Sequence, residues 1–270
     1  MTTTTVAAPS TPDIKVTQLR VVNSEWVKLR SLRSTVYTLI ASVGITVGLA
    51  LLFCSFAVAR YGSNGGRLVA DPVTLSLRGA FLAQLAIGVL GVLLITGEYS
   101  TGMIRATMSA VPRRLPVLWA KLGMFAVVAA VTSVVAAFVA FLSGQAILSS
   151  KHIGASLSDP GVLRAVIGAG LYLTVVGLLG MALGFLIRNT AGAITALFGI
   201  LLILPVLGEV LPADWATHVT PYLPSNAGQA IMALHTDPGS MAPWTGFALF
   251  VGYTAVAVAA AAVLLKRRDA

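Results

Sequence analysis

Six stretches of the chain are continuously apolar and free of Asp, Glu, Lys and Arg: residues 34–59, 79–96, 122–147, 165–187, 189–208 and 244–265, each 18 to 26 residues long. A helix crossing the hydrocarbon core of a bilayer needs about 20 such residues. Lipid offers no partner to backbone N–H and C=O groups, so a spanning segment is a helix or part of a closed barrel. Barrel strands alternate apolar and polar positions over about ten residues, whereas these runs are apolar on every side. The pattern predicts an all-α integral membrane protein with six transmembrane helices in one domain, residues 34–265. Pro205, near the end of the fifth run, predicts a kink or a stop there, because proline lacks the N–H and crowds the preceding turn. The first run is too long for a signal-peptide core, usually about 7–15 residues, and reads as a span.

Polar segments separate the runs. Residues 1–12, rich in Thr, Ala and Pro, read as a disordered tail. Residues 13–33 read as an amphipathic helix, because Val16, Leu19, Val22, Trp26 and Leu29 recur at steps of three and four. With Trp26 among the apolar positions, Lys28 at their border and Arg33 following, and with Arg30 intruding on the apolar side, such a helix lies flat at a membrane surface. The other reading is a plain extension of the first span. Between the second and third runs, Ser100 or Thr101 can cap a short helix over 103–110 that Pro112 ends. That helix is either presented to a partner or is a simple connector. Between the fifth and sixth runs, residues 209–243 hold several prolines and no Lys or Arg. Ser225 can cap a short helix over 225–234 that dips back toward the membrane or forms an external lid; an ordinary loop is the alternative. Gly44 with Gly48, and Gly180 with Gly184, form GxxxG pairs of the kind that lets helices approach closely.

Composition adds a bound. Hydrophobic residues make up 57% of the 270 and charged residues 10%, against about 25% charged in soluble domains. The +9 formal charge is mostly a topology signal. Thirteen of the 18 Lys and Arg residues fall in alternate segments: the N-terminal stretch, the gap after the second run, the turn at Arg188 and the tail, 266–270. Basic residues stay on the cytoplasmic side during insertion, so both termini are expected there, with no nucleic acid needed to explain the charge.

Chemistry is sparse. The sequence has no GxxxxGK[ST] phosphate loop, no GxSxG elbow and no HExxH pair, each of which carries a recognisable reaction. The lone Cys54 lies inside the first run, and His152, His218 and His235 stand at no metal-ligand spacing. The runs hold no ionisable residue of the kind that couples a transporter to an ion gradient. No enzyme activity, cofactor or metal is expected on this chain. Polar groups such as Gln84, Gln145 and Tyr172 remain inside the runs, where bonding between helices is their common role.

Four stretches resemble the type-2 ABC transporter permeases, especially short single-domain permeases of actinobacterial type. SEWVKLRSLRST (24–35) is similar to the family's entry helix into span one. GEYSTGMIRATMSAVPRR (97–114) is similar to its signature loop, RNTAGA (188–193) to its turn between spans four and five, and PYLPSNAGQAI (221–231) to its external segment before span six. The resemblance implies a permease subunit of an ATP-driven exporter in the bacterial plasma membrane. A second permease copy would pair with it, and two copies of a separate ATP-binding subunit would carry ATP and Mg. It further implies that Glu98, Tyr99, Thr101, Gly102, Arg105, Arg113 and Arg114 form the loop coupling to that ATPase, with Glu98 and Arg105 setting the contact. A reading of a different class is a non-transport scaffold or sensor subunit of a resistance or immunity complex.

Overall fold

The computed structural model describes residues 18–31, 33–61, 70–104, 114–210, 212, 217–235 and 239–267. The expected tail over 1–12, residues 13–17 of the amphipathic segment, most of the short helix over 103–110, and the last three residues lie outside them. The described residues are almost entirely helical and contain no strand. Among the described residues ten α-helices follow in order: α1 (Gln18–Ser31), α2 (Arg33–Tyr61), α3 (Pro72–Leu77), α4 (Gly79–Ser100), α5 (Arg114–Leu148), α6 (Val162–Ile187), α7 (Thr190–Phe198), α8 (Leu204–Glu209), α9 (Pro224–Gln229) and α10 (Pro243–Arg267). Six helical stretches are long and apolar enough to cross a membrane: Arg33–Tyr61, Pro72–Ser100, Leu115–Lys151, Val162–Ile187, Thr190–Glu209 and Pro243–Arg267.

These helices overrun the apolar runs at several ends. A helix in progress gains one backbone hydrogen bond per added residue, so it continues until a capping or breaking signal rather than until the first charge. Glu98 therefore lies inside the last turn of α4 and Lys121 inside the second turn of α5, where the runs alone would leave them in a loop. Arg78 joins α3 to α4 with right-handed helical geometry (φ −56°, ψ −26°), so the second span begins at Pro72. Asp71 caps it by accepting hydrogen bonds from the backbone N–H groups of Val73 (3.1 Å) and Thr74 (2.9 Å), the usual way to satisfy the open donors of a first turn.

Pro205 neither stops the fifth span nor passes unnoticed. A wide turn over Gly199–Ile203 precedes α8, and the Leu204 N–H donates back to the Gly199 carbonyl. Proline cannot donate to the carbonyl four residues before it, and widening the turn just ahead is one way a helix absorbs that loss.

α6 is the central helix, packed on α4 and α5 along its length. Its crossing with α4 is a backbone contact. A Cβ at Gly180 would run into the Gly88 carbonyl oxygen, and one at Gly91 into that of Gly177. The expected close approach at Gly180 thus exists, and small residues are what permit it. The other expected pair does not make one within the chain, since a Cβ at Gly44 or Gly48 meets nothing.

The segment after the fifth span packs into the bundle. Ser225, Ala227 and Ile231 are fully buried, and Gly228 lies against the rings of Tyr172 on α6 and Phe250 on α10. Pro224 and its neighbours begin the helix and Ser225 lies within it, so Ser225 is not the cap that the sequence suggests. Arg164 holds the end of the segment, donating to the carbonyls of Ile231 (3.2 Å) and Ala233 (2.9 Å). Buried Tyr172 donates to Gln84 Oε1 and accepts from Gln229 Nε2 at 3.3 Å. Gln145 Nε2 donates to the Pro72 carbonyl and Ser76 Oγ, and its Oε1 accepts from the Ala155 N–H. Gln84, Tyr172 and Gln145 are therefore interhelical bonds, as expected of polar groups among spans.

Candidate functional site

The end of the bundle at which α1 and α4 terminate holds a compact group of charges from three helices. Lys121 Nζ on α5 lies 2.6 Å from Glu25 Oε2 on α1 and 2.5 Å from Glu98 Oε1 on α4. Lys28 Nζ on α1 lies 3.0 Å from Glu25 Oε1 and 3.3 Å from Glu98 Oε1. Glu25 and Lys121 are buried, with side chains only 5% exposed, while Lys28 is 28% exposed. Two carboxylates facing two ammonium groups leave no net formal charge, which is how charges survive away from water.

Local sequence explains each position. In α1, Val22 packs on Val117 and Ala120 of α5. Glu25, one turn further on, follows the same inward face, and Leu29 after it lines a cavity below the cluster. Trp26 points away and is 45% exposed, next to the equally outward Val27. The inward stripe of the described part of α1 is thus Val22, Glu25 and Leu29, with the acid in the place that the apolar periodicity assigns to Trp26. Residues 22, 25, 26 and 29 span one helical face at steps of three and four, and the partner on α5 decides which of its edges turns inward. Arg30 and Arg33 are exposed.

The cavity has a volume of about 520 Å³ and lies between α1, α2 and α4. The four charged side chains form its polar end, and Leu94, Phe125 and Met181 are among its apolar walls.

The residues assigned to a coupling loop fall into four groups. Glu98 is in the ion cluster. Tyr99 sits under the Arg188 guanidinium, 5.1 Å from ring centroid to Cζ, which ties the end of α4 to the turn between α6 and α7. Arg188 takes left-handed backbone geometry there (φ 56°), and Asn189 caps α7 by accepting from the Gly192 N–H. Thr101 and Gly102 close α4. The Ser100 and Thr101 hydroxyls both donate back to the Gly97 carbonyl, and Gly102 turns the chain at φ 70°. Ser100 and Thr101 thus close the last turn of α4, left-handed glycine after them is a helix terminator, and helical geometry resumes at Met103 and Ile104. Arg105 and Arg113 lie outside the described residues, and Arg114 is the first residue of α5, its side chain undescribed.

Glu25 and Lys121 are functional candidates that the sequence reading missed. Lys121 stands directly before an apolar run, where a basic residue also serves as a topology signal. The available signal was position: Glu98 follows one run by two residues and Lys121 precedes the next by one, so helix continuation places both at the same end.

Burial lowers the Lys28 pKa, but the hydrogen bond and charge of Glu25, with Glu98 behind them, more than offset this and hold it above the ordinary 10.5. A lysine raised on folding contributes stability in full below its unfolded pKa and loses it as pH rises through the folded value. The Lys28 contribution to α1 docking should therefore be constant from pH 7 to about 10 and fade above 10.5. The emission of Trp26, in a variant whose other tryptophans are phenylalanine, reports this; a Lys28-dependent change between pH 7 and 9 would contradict it.

No known protein family matches the sequence, and no characterised protein matches it either.

Proposed function

We propose that the chain is the permease subunit of an ATP-driven exporter. It would cross the plasma membrane six times with both termini cytoplasmic, form the substrate path with a second permease copy, and couple to two copies of a separate ATP-binding subunit that holds ATP and Mg. The observation that carries this reading is the Glu25–Lys121–Glu98 cluster. Glu98 and Lys121 bracket residues 101–113, the stretch resembling a coupling element, and Glu25 fastens α1 to both. A force applied to that stretch would reach α1, α4 and α5 together, because buried ion pairs resist separation. Further support comes from the layout of six membrane-length helices and the absence of a phosphate-binding loop in the sequence, which an ATP site of its own would require. On this reading the segment over 224–232 is a re-entrant element on the external side.

The test begins with affinity capture of the tagged full chain from its native membrane. An ATP-binding subunit should copurify. Reconstituted together, the two should hydrolyse ATP faster than the ATP-binding subunit alone, and Arg105→Ala should reduce that stimulation several-fold while leaving helix content and abundance intact. Recovery of no ATP-binding subunit, or full stimulation with Arg105→Ala and Thr101→Ala combined, would overturn the coupling role. Copurification without any change in hydrolysis would indicate the scaffold instead.

A further inference from the structure

A second cavity, of about 620 Å³, lies at the far end of the bundle between α2, the α3–α4 junction and the residues following α9. Glu98 is 20 residues along the helix from Arg78, or about 30 Å, so the two cavities are separate. The far cavity is walled mainly by Leu49, Phe53, Phe81, Leu82 and Met232, with Arg78 as its one charged lining residue. Phe81 and Leu82 are about half exposed, so the cavity opens sideways between α2 and α4 onto the face that meets hydrocarbon if the bundle spans a bilayer.

Arg78 is exposed, and its guanidinium lies over the Phe53 ring at 5.6 Å. Phe53 stands eight residues before the end of α2 at Tyr61, about 12 Å along the helix. The arginine is thus held well within the length of α2 by an aromatic face. It forms no ion pair among the described residues. The acid nearest in the sequence, Asp71, is committed: Oδ1 accepts from the Val73 and Thr74 N–H groups and Oδ2 from the Thr74 hydroxyl. A guanidinium cannot shed its proton, and at membrane depth it is costly without an anion. Its planar fork suits phosphate oxygens.

We propose that this cavity binds an amphiphile with an anionic phosphate head, the phosphate on Arg78 and one hydrocarbon chain along the wall of Leu49, Phe81 and Leu82. The site requires no ATP coupling and stands apart from the permease reading.

The experiment uses the full chain in neutral detergent, titrated with phosphatidylglycerol or chain-matched phosphatidylcholine and read by native mass spectrometry. One tight copy of phosphatidylglycerol should bind with roughly tenfold preference, because both lipids carry the phosphate but the choline ammonium of phosphatidylcholine offsets its charge and repels Arg78. Arg78→Lys should keep most of the preference and Arg78→Gln should remove it. Leu82→Glu, one helical turn on, keeps the arginine but supplies an internal partner, and should also remove it. A preference unchanged in Arg78→Gln or Leu82→Glu, or no preference in the parent protein, would overturn the proposal. Inorganic phosphate is the second arm and should not compete at matched concentration. Competition by it that depends on Arg78 would show a free-phosphate site and overturn the amphiphile assignment.

Discussion

Lys121→Met should destabilise the protein by about 3–5 kcal/mol, the range seen when one partner of a buried ion pair is removed. The substitution preserves length and apolar bulk, so packing of the stem is nearly retained. What is lost is an ammonium that touches both Glu25 and Glu98 at 2.6 Å or less, the only one to do so among the described residues. Lys28 cannot replace it. It reaches the same carboxylates at 3.0 and 3.3 Å from the more exposed side, and one cation would then face two acids. The expected phenotype is a lower thermal midpoint in detergent and less folded protein in the membrane, with α1 the first element to leave. Lys28→Met should cost far less, within about 1 kcal/mol, because a partly solvated pair contributes little. A triple variant, Glu25→Gln, Glu98→Gln and Lys121→Met, should recover most of the loss, since the one charge left of the four is Lys28, the most exposed of them. If Lys121→Met matched Lys28→Met in thermal midpoint, the cluster would not be the fastening that holds α1 to α4 and α5.

Gly180→Ala and Gly91→Ala should be among the most damaging single-methyl additions in the spans. Each new Cβ would fall on a backbone carbonyl of the facing helix, Gly88 for the first and Gly177 for the second. Backbone cannot rotate aside as a side chain can, so α4 and α6 must separate along their whole crossing. Overpacking typically costs about 1–3 kcal/mol, occasionally more, and here it would loosen the cluster that includes Val92, Val176 and Leu179. The two substitutions act on one crossing, so the double variant should cost less than their sum. Gly44→Ala and Gly48→Ala supply the control. Their added methyls meet nothing within the chain, and alanine is the better helix former. Thermal midpoints in detergent that rank the four variants equally would show that the α4–α6 crossing is not set by backbone contact.

Much of the architecture was legible in the sequence because it follows from local physics. Long apolar runs free of charge can only be helices in lipid, and the six runs correspond to six helices of membrane length. The short helix expected near Ser225 exists at Pro224–Gln229, since proline starts and caps are local signals. The disturbance at Pro205 was legible for the same reason, though its form, a widened turn in place of a kink or stop, was not. Helix ends were read less well. An apolar run stops at the first charge but a helix does not, so Pro72–Leu77, Glu98 and Lys121 all lie in helices beyond the ends of the runs.

The candidate site was legible only in part. Glu98 stood out in a resemblance, but as a surface contact, and Glu25 did not stand out at all. The sequence by itself determined that six helices of membrane length form among the described residues, roughly where each lies, and that one set of ends is rich in lysine and arginine, because hydrophobic transfer and capping act within a single segment. Tertiary structure alone decided which GxxxG pair finds a partner, which edge of α1 turns inward, that the residues after the fifth span reach Tyr172, and that three charges separated by up to 96 positions become one buried cluster. Those outcomes depend on where helices cross, and a crossing is fixed by the shapes of two surfaces together, which neither helix carries in its own residues.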